Sequence, residues 1–346
     1  MKAQEIILNK ERNVTLTAYI QEADGEFGFS RRPAMLVMPG GGYAMCSDRE
    51  ADPVAMAYLK AGYQTLILRY TCTPKGKWPL PLEDYEQAMD LIVKRADDWH
   101  LDKSKIAVAG FSAGGHLAAC AATMAKHKPA AAVLVYPAIL KDICDMCQPG
   151  MPYPYEHVTA ETCPCFFAAA RDDRTVDIAN TLRMELALAE KGVGFESHIY
   201  SYGGHGFSTG EDWIITNSVC ARLPQWVPDS IGWLGEVMGR LSRSGFSEPV
   251  HEGSMNGNFA PVLSVDCTLS HLRRQSEEAK AVLSPMFSAI EAVAKARNFS
   301  TEGLMTAVGN NTAREIMEMV QIPAAKISEI DKALHQMINE LEDERI

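Results

Sequence analysis

The sequence lacks both long hydrophobic runs and clustered positive charge. None of its apolar stretches approaches the roughly 18 residues that a membrane-spanning helix needs. Its 33 lysines and arginines stand against 44 acidic residues, giving a formal net charge of −11. Because nucleic acids and anionic membrane surfaces are bound by clusters of basic residues, we expect neither as a partner. The composition predicts a soluble globular protein.

The amino-terminal segment and the cysteines bear on the cellular compartment. The stretch MKAQEIILNKERN contains one run of three clearly apolar residues, and no small-residue cleavage site follows it, so no export signal is visible. The nine cysteines are scattered, and several lie inside apolar segments. This distribution is typical of reduced thiols rather than of a disulfide framework. We therefore expect a cytoplasmic location.

Four of the cysteines form two close pairs, Cys144 with Cys147 and Cys163 with Cys165. Four thiolates are a known ligand set for zinc, so a metal site is one interpretation of these pairs. No glycine pattern of the zinc-ribbon kind flanks them. We favour free thiols and predict no metal site.

Apolar, β-branched segments alternate with amphipathic or alanine-rich segments over the first 200 residues. The first kind predicts buried strands and the second kind predicts helices. Such alternation is typical of βαβ units, which form a mostly parallel sheet with helices on both faces and ligands at the carboxyl ends of the strands. The predicted strands cover 14–20, 34–38, 64–70, 105–110, 131–137, 165–170 and 195–200, and the predicted helices cover 50–61, 83–98, 113–126 and 178–191.

The character of the sequence changes near residue 240. Residues 241–261 are rich in Gly, Ser, Asn and Pro, as linkers often are. Residues 262–346 lack Tyr and Trp and show helical periodicity. We predict an α/β domain over 1–240, a linker over 241–261, and an all-helical extension of two to four helices over 262–346. The periodicity is clearest at Ile327, Ile330, Leu334, Met337 and Leu341.

The predicted extension is acidic, with 15 Asp and Glu against 9 Lys and Arg from Ser247 onward. A carbohydrate-binding role is disfavoured, since stacking on sugars uses exposed Trp or Tyr. Paired apolar spacing more often indicates dimerisation or packing on the rest of the same chain. We expect a homodimer or an intramolecular brace in preference to binding of a foreign partner.

A single serine lies between glycines where a predicted strand meets a predicted helix. The segment GFSAG, Gly110 to Gly114, matches the G-x-S-x-G nucleophile elbow, in which a sharp turn exposes the hydroxyl of the serine, here Ser112. A helix N-cap is the alternative role for such a serine. The choice depends on whether the remaining catalytic groups are present.

An activated serine requires a histidine base that is oriented by a carboxylate. On a parallel sheet with this elbow, the expected chain order is serine, acid, histidine. After the strand at 165–170, the segment RDDRTVD offers Asp172 and Asp173, either of which can instead be a helix cap. After the strand at 195–200, SYGGHGFS offers His205 between glycines. The order therefore predicts a triad of Ser112, Asp173 and His205.

Three consecutive glycines follow the predicted strand at 34–38, in the segment MPGGGY. Glycines let the backbone approach a substrate closely, and backbone amides can then stabilise an oxyanion. The predicted donors are the amides of Gly41, Gly42 and Ala113. A flexible turn or a phosphate loop is the alternative, but neither G-x-x-x-x-G-K-[ST] nor G-x-G-x-x-G is present here. The agreement of these separate motifs disfavours a helix cap as the sole role of Ser112.

Four segments together carry a family resemblance, and they are MPGGGYAMCSDREADPVAMAYLKAGYQTLILRYT, IAVAGFSAGGHLAA, ARDDRTVD and GGHGFS. Over residues 10–240 the chain resembles α/β-hydrolase esterases of the acetylxylan-esterase-like, carbohydrate-deacetylating kind, relatives of the hormone-sensitive-lipase group. The resemblance implies the α/β-hydrolase fold, a mostly parallel central sheet flanked by helices. It also implies Ser112 as nucleophile, His205 as base, and Asp173, three residues before Val176, as acid. Pro39 stands where many relatives have histidine before the glycines, which favours the sugar-esterase branch over lipases.

The resemblance implies a serine esterase that removes short acyl groups, acetyl above all, from small carbohydrates through an acyl-enzyme and without a cofactor. The alternatives are a general short-chain carboxylesterase, a peptidase of the prolyl-oligopeptidase type, and a non-catalytic scaffold with a partner-binding tail. Candidate substrate-binding residues are Tyr43, beside the oxyanion loop, and Tyr153 and Tyr155, in the segment 138–164. Surface packing is an equally good explanation of the last two tyrosines. Asp48 and Arg49 are further candidates for the lining of the site.

Overall fold

The computed structural model describes residues 1–215, 218–250 and 256–339. These residues form two compact units. The first comprises residues 1–189 and 193–253, and the second comprises residues 190–192 and 254–346.

The first unit is built on an eight-stranded sheet in the order β1-β2-β4-β3-β5-β6-β7-β8. The pairs β1 with β2 and β2 with β4 are antiparallel, and all other neighbours are parallel. The carboxyl ends of the parallel strands therefore share one edge, where loop residues from several strands can converge. The strands are β1 Lys2–Asn9, β2 Val14–Ile20, β3 Arg32–Met38, β4 Gln64–Arg69, β5 Leu101–Phe111, β6 Ala131–Val135, β7 Cys165–Ala170 and β8 Phe195–Tyr200.

Six helices belong to the described part of this unit. They are α1 Asp52–Lys60, α2 Leu80–Lys94, α3 Ala113–Met124, α4 Lys141–Cys147, α5 Ala179–Glu190 and α6 Trp226–Met238. A short hairpin of β9 Leu241–Ser242 and β10 Gly245–Phe246 follows α6. The hairpin lies within 241–261, the segment expected to be a linker. The predicted domain boundaries stay predictions.

Side chains of the central strands alternate between two hydrophobic cores, one on each face of the sheet. Leu36 and Met38 of β3 contribute to one core together with α2, α3 and α5. Met35 and Val37 of the same strand contribute to the other core together with α1 and α6. This alternation follows from the two-residue repeat of a strand, and burial on both faces explains why residues 34–38 of β3 are all apolar.

The second unit contains six α-helices and one short 3-10 helix, Gly257–Phe259, over residues 256–339, so the prediction of two to four helices is wrong. Short helices with separate caps replace the few long ones expected: the side chains of Thr268, Ser276, Ser300 and Thr312 each cap a helix. Ile327, Ile330 and Leu334 are buried in the core of this unit, whereas Leu341 lies outside the described residues. The helices are α7 Leu269–Leu272, α8 Glu277–Val282, α9 Ser284–Arg297, α10 Thr301–Ala307, α11 Ala313–Met319 and α12 Ala324–Leu334.

Across the described ranges, no helix is both long and apolar enough to span a bilayer. The expected cytoplasmic location stays a prediction. Each strand predicted from the sequence corresponds to one of the strands β2 to β8, and each predicted helix to α1, α2, α3 or α5. The elements that were not predicted from the sequence are β1, α4, α6 and the hairpin of β9 and β10. All side chains of the edge strand β1 are exposed or half-buried, and its apolar run, Ile6 to Leu8, is shorter than the runs that predicted most of the other strands.

Candidate active site

Ser112 occupies a strained turn between β5 and α3. Its backbone has φ 51° and ψ −116°, a conformation that non-glycine residues rarely adopt. The position is the N-cap of α3, yet the side chain makes no capping hydrogen bond. Its Oγ instead lies 3.0 Å from Nε2 of His205. The strained turn thus directs the hydroxyl away from its own helix and toward the histidine.

Asp173 and His205 complete a hydrogen-bonded chain that ends at Ser112. Oδ2 of Asp173, at the carboxyl end of β7, lies 2.6 Å from Nδ1 of His205. Oδ1 of Asp173 accepts hydrogen bonds from the N–H groups of Thr175 and Val176, at 2.8 and 2.9 Å. Asp173 is 5% exposed. Its two oxygens are thus used separately, one to hold the loop and one to orient the imidazole.

Asp172, the other candidate acid, does not contact His205. Its Oδ1 accepts hydrogen bonds from the N–H groups of Gly203 and Gly204, at 2.8 and 3.0 Å. These hydrogen bonds lower the pKa of Asp172 because they favour the charged carboxylate. Asp172 therefore ties the loop after β7 to the loop that carries His205.

The predicted oxyanion loop lies beside Ser112. Gly41 has φ 130° and Gly42 has φ 61°, and a Cβ at Gly41 would lie 2.3 Å from the carbonyl oxygen of Met45. Only glycine fits that position without a backbone shift. Within the described residues, the N–H groups of Gly41, Gly42 and Ala113 have no hydrogen-bond acceptor. They are free to donate to a ligand.

A buried carboxylate and a buried tyrosine support the two loops of the site, and neither residue was predicted from the sequence. Glu50 accepts hydrogen bonds from the N–H of Gly40, at 2.7 Å, and from the hydroxyl of Tyr136, at 2.8 Å. The ring of Tyr136 packs edge-on against the imidazole of His205, with centroids 4.9 Å apart. Neither residue stood out in the sequence, because acids are common near helix starts and tyrosine is common at strand ends.

The site opens into a pocket of about 490 Å³. Ser112 and His205 contribute to its lining, as do Gly41 and Gly42. Much of the remaining wall is apolar, and part of it comes from α4 in the segment between β6 and β7. Asp48 and Arg49 line it as well, as anticipated. Other lining residues include Met45, Ala138, Ile143, Met146, Cys147 and Val176.

The prediction that Tyr43 binds substrate is wrong. Its side chain is 1% exposed, and its hydroxyl donates to Nδ1 of His116 at 2.7 Å. The other ring nitrogen of His116 donates to the carbonyl of Pro152 at 2.9 Å. Complete burial lowers the pKa of His116 to about 4, so the ring is neutral at physiological pH. Tyr43 therefore anchors the oxyanion loop to the protein core.

Tyr153 and Tyr155 also lie outside the lining of the pocket. Their rings stack on each other with centroids 6.4 Å apart. The hydroxyl of Tyr153 donates to Asp145, and the guanidinium of Arg183 lies over the ring of Tyr155. These contacts satisfy both side chains within the surface of the loop. The wall of this pocket uses α4 instead, and the prediction that Tyr153 and Tyr155 flank the substrate stays a prediction.

The four paired cysteines are free thiols. Cys144, Cys163 and Cys165 are buried, and Cys147 is half-buried in the pocket wall. Burial raises the pKa of Cys144 to about 12, so this thiol stays protonated. In the described ranges, no group of three or more His, Cys, Asp or Glu side chains is placed to hold a metal ion.

Sequence comparison connects this geometry to known proteins. The BD-FAE family model matches residues 28–138, which include the glycine loop and the elbow serine. Endo-1,4-beta-xylanase B of Butyrivibrio fibrisolvens is 29% identical over 230 residues, 57% of this chain and 35% of that protein. An acetylxylan esterase of Xylanibacter ruminicola is 27% identical over 219 residues, 56% of this chain and 45% of that protein. The chain thus spans less than half the length of these two curated relatives.

Comparison with solved structures decides the family. MGS-M1, an alpha/beta hydrolase enzyme from a deep-sea metagenome library of the Medee basin, is 36% identical with a TM-score of 0.64. The match covers 69% of this chain and 98% of MGS-M1. The chain belongs to the α/β-hydrolase family. The expected fold and the family resemblance are confirmed, and the eight-stranded sheet with its Ser112 turn is the α/β-hydrolase core of this chain.

Proposed function

We propose that this α/β-hydrolase is a serine esterase that hydrolyses short-chain carboxylic esters, with acetylated carbohydrates as its substrates. The observation that carries the proposal is the chain of hydrogen-bond contacts from Asp173 through His205 to Ser112, at the edge of an open pocket. An imidazole between a buried carboxylate and a serine hydroxyl is the arrangement that activates serine for attack on a carbonyl carbon.

The proposed reaction proceeds in two halves. Nε2 of His205 takes the proton from Oγ of Ser112 as that oxygen bonds to the ester carbonyl carbon, and Asp173 stabilises the resulting imidazolium. The amides of Gly41, Gly42 and Ala113 donate to the oxyanion. The bond to the alcohol oxygen then breaks, and His205 returns the proton to the leaving alcohol. Water, activated by the same nitrogen, hydrolyses the acyl-serine and releases the carboxylic acid.

The size and lining of the pocket support a short acyl group. A volume of about 490 Å³ must accept both the acyl chain and part of the alcohol. Helix α4 borders the pocket with Ile143, Met146 and Cys147, which leaves little room for a long chain beside a sugar. An acetylxylan esterase and a xylanase stand among the matched relatives, which supports a carbohydrate as the alcohol.

The nucleophile is tested with 4-nitrophenyl acetate and the substitution Ser112→Ala. We expect kcat to fall by about 10⁴-fold or more, as for loss of a nucleophile elsewhere, while circular dichroism stays unchanged. Turnover by the variant at the wild-type rate would contradict the assignment of Ser112.

The substrate class is tested by acetate release from acetylated xylo-oligosaccharides and acetylated monosaccharides, with feruloyl esters and peptide amides as comparisons. We expect the acetylated sugars to react fastest. Among nitrophenyl esters, acetyl should react faster than dodecanoyl. Equal rates for the two chain lengths would contradict the short-chain proposal, and preferred cleavage of the amides would replace it with a peptidase function.

A further inference from the structure

Glu50 is a buried carboxylate that lies directly beneath the candidate oxyanion loop. It is 4% exposed, and its Oε2 accepts the N–H of Gly40. A Cβ added at Gly40 would lie 2.6 Å from the carbonyl oxygen of Phe111, 2.8 Å from Oε2 of Glu50 and 2.9 Å from Cβ of Ser112. The loop therefore has no free space between the carboxylate and the nucleophile. A displacement of Glu50 would move the backbone that precedes Gly41.

The second oxygen of Glu50 connects to the loop that carries His205. Oε1 accepts the hydroxyl of Tyr136, and that hydroxyl accepts the N–H of Ser208 at 3.0 Å. The side chain of Ser208 donates back to the carbonyl oxygen of Arg49, the residue before Glu50. The carbonyl of Ser208 accepts the indole N–H of Trp226 at 3.0 Å. One side chain thus links the oxyanion loop to the histidine loop.

Both carboxylate oxygens of Glu50 are used as hydrogen-bond acceptors. The hydroxyl proton of Tyr136 points to Glu50, because the same oxygen accepts from Ser208, so both carboxylate oxygens accept hydrogen bonds. Burial raises the pKa of Glu50 above its ordinary value, and the hydrogen bonds from Tyr136 and Gly40 together with the nearby His205 and Arg49 offset only part of this rise. Tyr70 is a further ionisable group near the carboxylate.

We propose that Glu50 is a positioning residue for the hydrolysis. It keeps the amides of Gly41 and Gly42 in place relative to the His205 ring, and its negative charge stabilises the imidazolium of His205. The proposal rests on the esterase function proposed above. In that mechanism the histidine becomes positively charged at the same time as the oxyanion forms. A carboxylate beneath both loops supports each of these events without contacting the substrate carbonyl.

The test compares Glu50→Gln with the wild type, using 4-nitrophenyl acetate over a range of pH. The concentration of active sites is first measured from the burst of 4-nitrophenol release, so that kcat is expressed per molecule of folded protein. Glutamine keeps the size of the side chain but removes the charge and replaces one acceptor with an N–H₂ group. We expect kcat to fall by about 10- to 100-fold, with KM nearly unchanged, because small misplacements of catalytic groups have effects of this size.

The pH profile provides a readout that a purely structural role would not change. The acid limb of kcat/KM reflects loss of the neutral histidine that takes the proton from Ser112. Without the negative charge of Glu50, the imidazolium of His205 is less favoured. The acid limb should therefore move to lower pH in Glu50→Gln. An Asp at this position keeps the charge, so Glu50→Asp should retain the wild-type position of the limb.

A matched control is Glu185→Gln. Glu185 is also partly buried, accepts a hydroxyl, that of Ser197, and has a pKa raised by burial, but it lies on α5 outside the site. Its kinetics should equal those of the wild type. If Glu50→Gln does not fold, Tyr136→Phe carries the test, since it removes only the bridging hydroxyl. We expect that variant to lower kcat by about 10-fold with no movement of the acid limb.

The outcomes separate the two proposals. Unchanged kcat and an unmoved acid limb in Glu50→Gln, with turnover that still depends on Ser112, would overturn the role of Glu50 alone. If Glu50→Gln does not fold, an unchanged kcat in Tyr136→Phe would overturn it instead. A wild-type protein without Ser112-dependent ester hydrolysis would overturn the proposed function and this inference with it.

Discussion

Two adjacent aspartates of the site have different partners. Asp173 lies against the imidazole of His205, whereas Asp172 accepts two backbone N–H groups from the loop before that histidine. Successive residues after a strand point in different directions, so one carboxylate faces His205 and the other faces the backbone of the loop before it. A helix cap was the alternative role for either aspartate, and the structure shows Asp173 binding both the ring and two backbone amides.

The two aspartates predict unequal effects of the same substitution. Asp173→Asn should lower kcat for 4-nitrophenyl acetate by about 10⁴-fold, because the amide favours the wrong tautomer of His205. Asp172→Asn keeps an oxygen that can accept the N–H groups of Gly203 and Gly204, and kcat should fall by about 10-fold at most. Equal losses in the two variants would contradict the assignment of Asp173 as the acid.

His116 predicts a dependence of stability on pH. Its pKa is about 4 in the folded chain, against about 6.5 when exposed. Between these values the unfolded chain binds a proton that the folded chain does not, so the free energy of unfolding falls as pH falls through this window. The full contribution is roughly 3 kcal/mol.

The measurement is urea unfolding at about pH 7.5 and about pH 5. The wild type should lose more stability between these pH values than His116→Gln, which has no titrating group at this position. An equal loss in the two proteins would show that His116 does not titrate as its burial implies.

At the scale of elements, the turn from β5 into α3 determines where the nucleophile lies. A Cβ at Gly114 would lie 2.1 Å from the carbonyl oxygen of Met38 and 2.4 Å from that of Pro39. A Cβ at Gly110 would lie 2.2 Å from the carbonyl oxygen of Gly114. The backbones of α3, β3 and β5 are thus in direct contact at this turn. This close approach is the physical reason for glycine on both sides of Ser112.

Gly114→Ala should therefore destabilise the fold strongly. No flexible side chain can move to admit the methyl group, and we expect a loss of about 3 kcal/mol or more, with loss of esterase activity. Gly232→Ala is the matched control, since α6 has open space at that position. It should raise stability by about 0.5 to 1 kcal/mol. The midpoints of urea unfolding measure the stability of both variants. A Gly114→Ala variant as stable as the wild type would contradict this packing.

At the scale of the whole molecule, the chain has two compact units, each with its own hydrophobic core. The two cores of the first unit lie on the faces of its sheet, and the core of the second unit contains residues from 263 to 334. All of the candidate catalytic residues belong to the first unit. We therefore propose that the first unit folds and acts by itself.

A chain ending at residue 253 tests this proposal. It should be folded by circular dichroism and should hydrolyse 4-nitrophenyl acetate with an unchanged kcat. The expected homodimer through the helices of the second unit stays a prediction, and light scattering of the full chain and the shortened chain tests it. If the shortened chain is insoluble, or if it folds but is inactive, the second unit is needed to brace the first.

The local parts of the site were predictable from sequence. Ser112 and Asp173 each follow a strand with a clear apolar pattern, and His205 follows the mixed segment FESHIY. Glycines or a short polar segment surround all three residues. The structure brings these three together because parallel strands place their carboxyl ends at one edge of the sheet. Spacing and chain order therefore carried most of the information about the candidate catalytic residues.

The supporting contacts were not predictable in this way. Glu50 and Tyr136 are 86 residues apart, and Tyr136 and Ser208 are 72 apart. Tyr43 is adjacent to Gly42 in the chain, but its side chain is buried against His116 instead of facing the pocket. No local pattern specifies such directions, since they depend on which side chains fill the space between loops.

The sequence by itself determined the α/β pattern, the strained serine turn and the order of the catalytic groups, because these depend on periodicity, on glycine and on chain connectivity. The tertiary structure alone decided which aspartate faces His205, which residues line the pocket, and that a buried Glu50 joins the two loops. These features depend on packing between distant segments. Their energies arise from burial and hydrogen bonds that exist only once the sheet has formed.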